Sequence, residues 1–381
     1  MSEPITGPFK NYYGIALAQE YAAKLSAAYP DFPAEAFVAE IAREIEPLEL
    51  VGRVKLIAAG LRKHLPPIYP DALERLLAIL GEGLPDDGGM FNAGSWVYPI
   101  ATFVEVYGLD DFDVSVRGLY EVTKRFTSEF AIRPYLVRYP EGMLAHLHRW
   151  AEDPNPHVRR LVSEGSRPRL PWGKRLEIFV ADPSPTLALL EKLKDDPSAY
   201  VRKSVANHLN DIAKDHPARV VETAARWYAD GDDERRWIVR HGLRTLIKAG
   251  NADALAILGY AASERVGATL AISPAHLSIP GALTLTATLS NQGDQPVEAV
   301  VDFCIHFIRA NGGTGGKVFK WARLTLAAGE TRTLVKRHPL RPVTTRTFYS
   351  GLHRVELQVN GARLAELRRT LVASVPSAFH A

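Results

Sequence analysis

The sequence is poor in sulfur: it has a single cysteine, Cys304, and three methionines among 381 residues. One cysteine cannot form a disulfide within the chain, and it excludes metal sites that are built from several cysteines. No run of 18 uncharged apolar residues is present, and the N-terminus lacks the basic and then apolar segments of a signal peptide. We therefore expect a cytoplasmic protein that does not enter a membrane.

Motifs of nucleotide-binding and metal-dependent enzymes are also missing. The chain has no His-Glu-x-x-His, no Walker A loop and no Gly-rich dinucleotide loop. The segment Gly312–Lys317 has the composition of a phosphate-binding loop, but it lies between two predicted strands rather than before a helix. We predict that it is the tip of a β-hairpin, from which Lys317 and Lys320 can reach a groove of DNA.

Charge is distributed unevenly along the chain, although the formal net charge is only +3. Residues 1–140 carry a net charge of −6, residues 141–267 carry +2, and residues 268–381 carry +7. This asymmetry favours contact between a polyanion and the middle and C-terminal parts of the chain. The alternative is that the basic residues only keep a β-domain in solution.

A twelve-residue motif recurs in the middle of the chain. Residues 153–164 read Asp-Pro-Asn-Pro-His-Val-Arg-Arg-Leu-Val-Ser-Glu, residues 196–207 match them at an offset of 43, and residues 233–244 form a looser third copy. A repeat of this length predicts a helical solenoid. The motif is typical of the second helix of a HEAT repeat, with Asp as the cap, Pro in the first turn and buried Val, Leu and Val.

The arginine after the first valine of each copy has a structural interpretation. In HEAT repeats this arginine bonds to the aspartate of a neighbouring repeat. We therefore expect Arg159, Arg202 and Arg240 to join repeats rather than to contact a ligand.

The chain is predicted to be multidomain, with α-helices followed by β-strands. Residues 1–265 form a helical HEAT-like repeat domain, of which 1–110 are an N-terminal cap and 111–265 are the repeats. Residues 268–381 show alternating apolar residues rich in Thr and Val, and they predict an immunoglobulin-like β-sandwich of about seven strands with a hairpin turn at Asn360-Gly361. The more local predictions are helices at 32–45, 48–61 and 69–80 and a turn at 86–94. A long helix that Ser115 can cap is predicted, with its exit, over 115–139.

Charged residues recur at three- or four-residue spacing on the predicted repeat helices. Stacked helices would align these residues into a concave, cationic wall that suits a phosphate backbone. The wall residues are Arg125, Glu129 and Arg133; Arg160 and Glu164; Lys203, Asn207 and Asp211; and His241, Arg244 and Lys248.

Three carboxylates, Glu129, Glu164 and Asp211, stand out on this cationic wall. A carboxylate of this kind can be neutralised by the cation four residues earlier, as Glu129 by Arg125 and Glu164 by Arg160, or can simply solvate a helix face. The functional interpretation is that the carboxylates stabilise positive charge on a nucleotide sugar and orient a water molecule, which is what cleavage of a glycosidic bond requires.

The turn Arg167-Pro-Arg169-Leu-Pro-Trp172-Gly is unusually basic and aromatic. Trp172 either belongs to the core or stacks on a base or a cationic lesion. Arg167 and Arg169 are further candidates for contact with DNA.

Long segments of the chain resemble the bacterial DNA alkylation repair glycosylases of the AlkC type, which are relatives of AlkD. The resemblance covers nearly the whole chain. It is carried by Ser128–Pro134, Val158–Trp172 and Val201–Asp211 in the helical part, and by Lys317-Val-Phe-Lys-Trp321 and Gly351–Gly361 in the β-domain.

The resemblance implies HEAT-like repeats wrapped around double-stranded DNA and excision of cationic bases such as 3-methyladenine and 3-methylcytosine, without a metal or a cofactor. It places Glu129, Glu164 and Asp211 at the catalytic site, which Trp172 and Arg160 line. It also implies a bacterial protein, on the nucleoid when it binds DNA, that acts as a monomer and clamps bent DNA with its β-domain. The other residues expected to contact DNA are Arg167, Arg169, Lys203, Asn207, His208, His241, Arg244, Lys248, Lys317 and Lys320.

Two non-enzymatic interpretations remain open. A HEAT-repeat scaffold would bind a protein through its concave face, and its three carboxylates would be dispensable for any activity on DNA. A DNA-architectural protein would bind DNA in a salt-sensitive manner without releasing a base.

Overall fold

The computed structural model of the chain describes residues 8–85, 94–342 and 347–373. The chain divides into two compact units, Met1–Asp215 and His216–Ala381, each of which is described by itself. Of the turn predicted at 86–94, all but Gly94 lies outside the described residues. In the part of the chain that the structure describes, no helix combines the length and apolar character that crossing a bilayer requires.

The described part of the first unit contains twelve α-helices. They are α1 Ile15–Ala28, α2 Ala34–Glu44, α3 Leu50–His64, α4 Tyr69–Ala78, α5 Tyr98–Tyr107, α6 Phe112–Thr123, α7 Arg133–Arg138, α8 Pro140–Trp150, α9 Pro156–Gly165, α10 Glu177–Ala181, α11 Ser184–Leu193 and α12 Ala199–Ile212. The helices predicted at 32–45, 48–61 and 69–80 are confirmed by α2, α3 and α4.

Helices α2 and α3 pack closely because one of them carries a glycine at the contact. Phe37 and Ile41, one turn apart on α2, are fully buried. A Cβ added at Gly60 of α3 would lie 2.9 Å from Cδ1 of Ile41 and 3.0 Å from the Phe37 ring. A larger residue at position 60 would therefore push the two helices apart.

The long helix predicted to start at Ser115 and to end with its exit by residue 139 is wrong. The chain instead forms α6, a turn over residues 124–132, and the short helix α7. Hydroxyl groups of Thr123 and Ser128 donate to the Leu119 carbonyl oxygen at 2.6 and 3.0 Å, which satisfies a carbonyl near the end of α6. Ser115 does not cap this helix; it is buried inside α6 and donates to the Gly108 carbonyl oxygen.

The recurring motif begins its helices differently from the prediction. The cap of α9 is Asn155, whose side chain accepts from the His157 and Val158 amides, and Pro156 occupies the first turn. Asp153 lies two residues earlier and accepts from the Asn155 amide at 2.8 Å, as Asp196 does from Ser198 in the second copy. The aspartate therefore shapes the turn before the helix rather than capping it.

The remaining features of the motif are confirmed in its first copy. Val158, Leu161 and Val162 are buried. Arg159 donates to both carboxylate oxygens of Asp196, at 2.6 and 3.0 Å, and so joins one copy of the motif to the next.

The second unit begins with helices and continues with strands. Its helices are α13 Pro217–Ala229, α14 Asp233–Gly242, α15 Arg244–Ala249 and α16 Ala252–Ile257. Its strands are β1 Val266–Ser273, β2 His276–Ile279, β3 Gly281–Asn291, β4 Val297–Ile308, β5 Thr314–Leu326, β6 Thr331–Leu340, β7 Gly351–Val359 and β8 Ala362–Ala373.

The strands form a sandwich of two sheets, with the orders β1-β3-β6 and β2-β8-β7-β4-β5. Alternate residues of each sheet, such as Leu283 and Leu285 of β3 and Phe303 and Ile305 of β4, are fully buried and belong to one core. The predicted fold class, helices followed by an immunoglobulin-like sandwich, is thus confirmed. The described residues contain eight strands rather than about seven.

Two predicted hairpins are present in the sandwich. Asn360 and Gly361 have φ values of +50° and +78° between β7 and β8, as a two-residue turn with two left-handed residues requires. The segment around Gly312 joins the antiparallel strands β4 and β5. It is a hairpin tip and not a phosphate-binding loop.

Candidate functional site

Helices α9 and α12, which carry the first two copies of the motif, pack side by side and hold polar groups between them. Ser204 of α12 donates to Glu164 Oε2 at 2.6 Å, and its Oγ lies 2.9 Å from Ser163 Oγ. His208 Nδ1 lies 2.9 Å from the Ser163 carbonyl oxygen. These contacts fix the end of α9, and with it Glu164, against α12.

Glu129 lies in the turn between α6 and α7 and is 4% exposed. Its Oε2 accepts from Thr127 Oγ1 at 3.0 Å and from Arg160 Nη1 at 2.8 Å. The predicted pairing with Arg125 is wrong, because Arg125 pairs with Glu121 on α6. The helix ends before residue 129, so the four-residue spacing does not apply there.

Glu164 receives contacts from two arginines as well as from Ser204. Arg167 Nη1 donates to its Oε1 at 2.6 Å, and Arg160 Nη2 lies 3.7 Å from the same oxygen. Burial alone would raise the pKa of this carboxyl group. The charges of Arg160 and Arg167 and the hydrogen bonds outweigh burial, so the pKa lies below its usual 4.5 and Glu164 is ionised at neutral pH.

Asp211 is the most deeply buried of the three carboxylates, with 2% of the residue exposed. Its Oδ2 lies 2.7 Å from both Nε and Nη2 of Arg167. Its Oδ1 accepts from Lys214, one turn further along the chain, at 2.8 Å.

The three carboxylates therefore belong to one buried network of alternating charge. Arg160 joins Glu129 to Glu164, and Arg167 joins Glu164 to Asp211. Burial acts to lower the pKa of both arginines, but the neighbouring carboxylates outweigh it and keep the pKa of each above its ordinary value. The network thus holds both guanidinium groups and the Glu164 carboxylate in their ionised states.

An aromatic side chain supports the first arginine of the network. The guanidinium of Arg160 lies 4.8 Å from the ring centroid of Tyr200 on α12. His157 meets the same ring edge-on, with centroids 5.5 Å apart. Tyr200 thus fixes the plane of the guanidinium that bridges Glu129 and Glu164.

Trp172 lies in residues 166–176, a segment without helix or strand that we call the Trp172 loop. The residue is 91% exposed, so the interpretation as a core residue is wrong. Its φ of +64° is unusual for a residue with a side chain. Arg169 of the same loop is partly exposed and forms two hydrogen bonds of 2.6 Å with Asp215.

The residues predicted on α12 differ in their access to solvent. Lys203 is exposed and Asn207 is partly exposed, so both can meet a ligand. His208 is fully buried, and burial, reinforced by the charge of Arg167, lowers its pKa to about 3. A neutral side chain without exposed surface cannot bind a phosphate, which corrects the prediction that His208 contacts DNA.

Arg160 and Arg167, which were also predicted to contact DNA, lie within the buried network. They are 9% and 6% exposed, and each guanidinium forms ion pairs with two of the three carboxylates. The structure thus makes them members of the carboxylate network rather than surface cations.

Five predicted residues belong to the second unit. His241 of α14 stacks on Trp237, with ring centroids 5.0 Å apart, and Arg244 donates to the His241 carbonyl oxygen. Lys248 is exposed. Lys317 is exposed on β5, whereas Lys320 bonds to the buried carboxylate of Asp302 at 2.7 Å and to the Ile247 carbonyl oxygen at 2.9 Å.

Among the described residues, one group of side chains could supply three ligands to a metal ion. The ligand atoms of Cys304, His306 and Glu356 lie within 4.8 Å of one another. However, Arg354 Nη2 is 3.2 Å from both His306 nitrogens, and Arg354 and Arg363 each approach Glu356 to 3.3 Å. Two guanidinium groups at these distances repel a dication, so we assign no metal to this cluster.

Several residues of the site had no signal in the sequence that singled them out. Ser204 and Tyr200 act through partners about 40 positions away, and Arg133 was predicted only as one residue of a helical stripe. The 43-residue offset aligns Tyr200 with His157, whose ring it meets edge-on, but the alignment alone does not indicate the contact of Tyr200 with Arg160.

Two family models match the chain. Residues 126–246 match the model described as "DNA alkylation repair enzyme", and residues 267–373 match "Uncharacterised protein YhaZ, C-terminal Ig-like domain". The first match contains Glu129, Glu164 and Asp211.

Two similar proteins match nearly the whole chain. The uncharacterized protein YhaZ of Bacillus subtilis (strain 168) is 37% identical over 354 residues, which cover 92% of this chain and 96% of that protein. The alkylpurine DNA glycosylase AlkC of Pseudomonas fluorescens, solved bound to DNA that contains an abasic site analog, is 36% identical with a TM-score of 0.83. That match covers 96% of this chain and 99% of AlkC.

Proposed function

Because the chain belongs to the AlkC-type family of DNA alkylation repair glycosylases, we propose that it hydrolyses the N-glycosidic bond of cationic alkylated bases in duplex DNA. The substrates in this proposal are lesions of the 3-methyladenine and 3-methylcytosine type. The observation that carries the proposal is the buried network in which Arg160 and Arg167 hold Glu129, Glu164 and Asp211 together.

A cationic base can leave without a proton donor, so carboxylates alone suffice as catalytic groups. When the bond from C1′ to the base nitrogen breaks, its electron pair goes to the base, which becomes neutral and leaves without a proton. The sugar acquires the positive charge, which negative side chains stabilise. Glu164, whose lowered pKa keeps it ionised, is suited to this role and not to proton donation.

The second half of the reaction requires a water molecule at C1′. A carboxylate of the network accepts a hydrogen bond from this water and orients it, and the proton that the water loses on bonding to C1′ passes to the carboxylate or to solvent. We propose all three carboxylates of the network as catalytic residues.

The arginines make this arrangement compatible with DNA. Three unpaired carboxylates would repel phosphates and one another. Arg160, Arg167 and Lys214 balance their charge within the network. They also hold the carboxylates before the sugar charge develops, so that no reorganisation is needed at the moment of reaction.

Trp172 is the proposed contact with the lesion or its neighbours. Its ring is exposed, and an indole face attracts both stacked bases and cations. The other residues proposed to contact DNA in the first unit are Arg169, Lys203 and Asn207; in the second unit they are His241, Arg244, Lys248 and Lys317.

Release of free base tests this proposal. Duplex DNA treated with a methylating agent is incubated with the protein, without added metal, and the released bases are separated by chromatography. We expect 3-methyladenine and 3-methylcytosine to appear, and the strand to break only after alkali, as for a monofunctional glycosylase. Tight, salt-sensitive binding without release would favour the architectural interpretation instead, and absence of DNA binding would favour the protein scaffold.

A further inference from the structure

Arg133, the first residue of α7, joins the two ends of the Trp172 loop. Its Nη1 donates to the carbonyl oxygens of Gly165 and Arg167 at 3.0 and 2.9 Å. Its Nε donates to the Lys174 carbonyl oxygen at 2.9 Å, and its Nη2 bonds to the same oxygen. One side chain thus bonds to residues before and after Trp172.

The burial of Arg133 shows that the interaction is part of the folded structure. The residue is 4% exposed. Burial and the charge of Arg167 lower its pKa to about 10, so that the guanidinium is still charged at neutral pH. A buried charge requires compensation, and the backbone carbonyls together with the nearby carboxylate network supply it.

The loop that Arg133 closes carries two parts of the site. Arg167, near its beginning, bonds to Glu164 and Asp211. Trp172, near its end, adopts a left-handed backbone conformation, which is uncommon for a residue with a side chain and persists only where the surroundings fix it. Within the loop, the Gly173 amide bonds to the Leu170 carbonyl oxygen at 3.1 Å.

We propose that Arg133 is a positioning residue that fixes the Trp172 loop and so holds the exposed Trp172 ring for contact with the damaged DNA. This inference rests on the proposed function. Lysine cannot replace Arg133, because a single ammonium group lacks the planar fork that reaches carbonyl oxygens at both ends of the loop.

The first experiment tests the loop without any reference to activity. Lys174 and Arg175 are exposed, but Arg133 holds the carbonyl oxygen of Lys174, and trypsin must bind the backbone in an extended conformation. Cutting after these residues therefore requires the loop to open. In Arg133→Lys we expect cutting at these sites to be about tenfold faster than in the wild type. The substitution adds no cleavage site, because Pro134 follows position 133.

Arg53→Lys is the matched control for this substitution. Arg53 is 6% exposed and also donates to two backbone carbonyl oxygens, those of Leu48 and Glu46, at 2.8 and 3.3 Å. It lies on α3, and these hydrogen bonds are made to the turn before that helix rather than to the Trp172 loop. We expect Arg53→Lys to lose about as much stability as Arg133→Lys. Its rate of trypsin cutting at Lys174 and Arg175 and its rate of excision should stay at the wild-type values.

The second experiment asks whether Arg133 acts through Trp172. Single-turnover excision is measured for Arg133→Lys, Trp172→Ala and the double variant. We expect Arg133→Lys to be slower by about tenfold or more, because small displacements of a substrate-positioning group are costly. We expect the excision rate of the double variant to lie within about threefold of the rate of Trp172→Ala. The reason is that Trp172→Ala has already removed the ring that Arg133 positions.

The outcomes separate this inference from the proposed function. Unchanged trypsin cutting in Arg133→Lys overturns the inference, and so do multiplicative rate losses in the double variant. Faster cutting with normal excision also overturns it, since Arg133 would then hold a loop that the reaction does not need. If the wild type releases no base, the proposed function fails, while the trypsin experiment still decides whether Arg133 holds the loop.

Discussion

Arg167 and Asp211, 44 positions apart in the chain, are joined at 2.7 Å through both Nε and Nη2 of the guanidinium and one carboxylate oxygen. This pair connects the Trp172 loop to α12, and the bond from Arg167 to Glu164 connects both to α9. The catalytic carboxylates of the proposal are therefore fixed by neighbouring elements of the fold rather than by the helix that carries each of them.

Asp211→Asn is expected to reduce single-turnover excision by at least about 100-fold, because a neutral amide cannot stabilise charge on the sugar. Affinity for duplex DNA should be equal or higher, since one negative charge near the phosphates is removed. The control is Asp31→Asn, which changes an exposed carboxylate that pairs with Arg75 and should leave excision near the wild-type rate. Weaker DNA binding by Asp211→Asn would indicate that Asp211 is structural.

Trp172→Ala should leave the melting temperature unchanged, because the side chain is 91% exposed and buries little apolar area. Affinity for a duplex that contains an abasic-site analog should fall by about tenfold, as loss of one stacking contact predicts. Val137→Ala, at an exposed apolar position on α7, is the control. Equal affinities of wild type and Trp172→Ala would remove Trp172 from the site.

Stability should depend on pH through His208. In the folded chain the pKa of the His208 imidazole is lowered to about 3, whereas in the unfolded chain it has its ordinary value of 6.5. Between these values the unfolded state holds more protons, so the free energy of unfolding falls as pH decreases below 6.5.

The comparison variant for this pH dependence is His208→Gln, whose amide can still donate to the Ser163 carbonyl oxygen. We expect the wild type to lose about 2 kcal/mol more than this variant between pH 7.5 and 5, measured by urea unfolding. If the free energy of unfolding changed equally with pH in the two proteins, the buried, neutral state of His208 would be contradicted.

Two lysines of β5 should behave differently. Lys317 is exposed, so Lys317→Glu should weaken DNA binding and reduce the slope of log K against log salt by about 1. Lys320→Met should instead lower stability by about 1–3 kcal/mol, because it leaves the carboxylate of Asp302, 1% exposed, without its cation. An unchanged salt slope in Lys317→Glu would argue against contact between this strand and DNA.

Local patterns were sufficient to predict much of the fold. Alternating apolar residues identified β3, β4 and β7, and Asn360-Gly361 identified the hairpin between β7 and β8. Both signals depend only on residues that are neighbours in the sequence. The 43-residue repeat correctly predicted that Arg159 bonds to Asp196. The break between α6 and α7 was missed, because it depends on hydroxyl groups that bond to carbonyl oxygens in the folded chain.

The site was predictable as a set of residue types but not as a set of contacts. Helical spacing selected Glu164 and Asp211, yet their main partner, Arg167, lies in a loop where spacing has no meaning. The partner of Glu129 is Arg160, 31 positions away, and only tertiary packing brings them together. His208 was assigned to DNA because a polar residue on a helix resembles a surface residue until its burial is known.

The most direct test of the account compares Glu164→Gln with the wild type in base release from methylated duplex DNA. Glu121→Gln, which changes a carboxylate paired with Arg125 on α6, serves as the control. The account predicts release of 3-methyladenine and 3-methylcytosine by the wild type and by Glu121→Gln, and a loss of at least about 100-fold in Glu164→Gln with DNA binding retained. Release by folded Glu164→Gln at the wild-type rate would contradict the catalytic role of the carboxylate network.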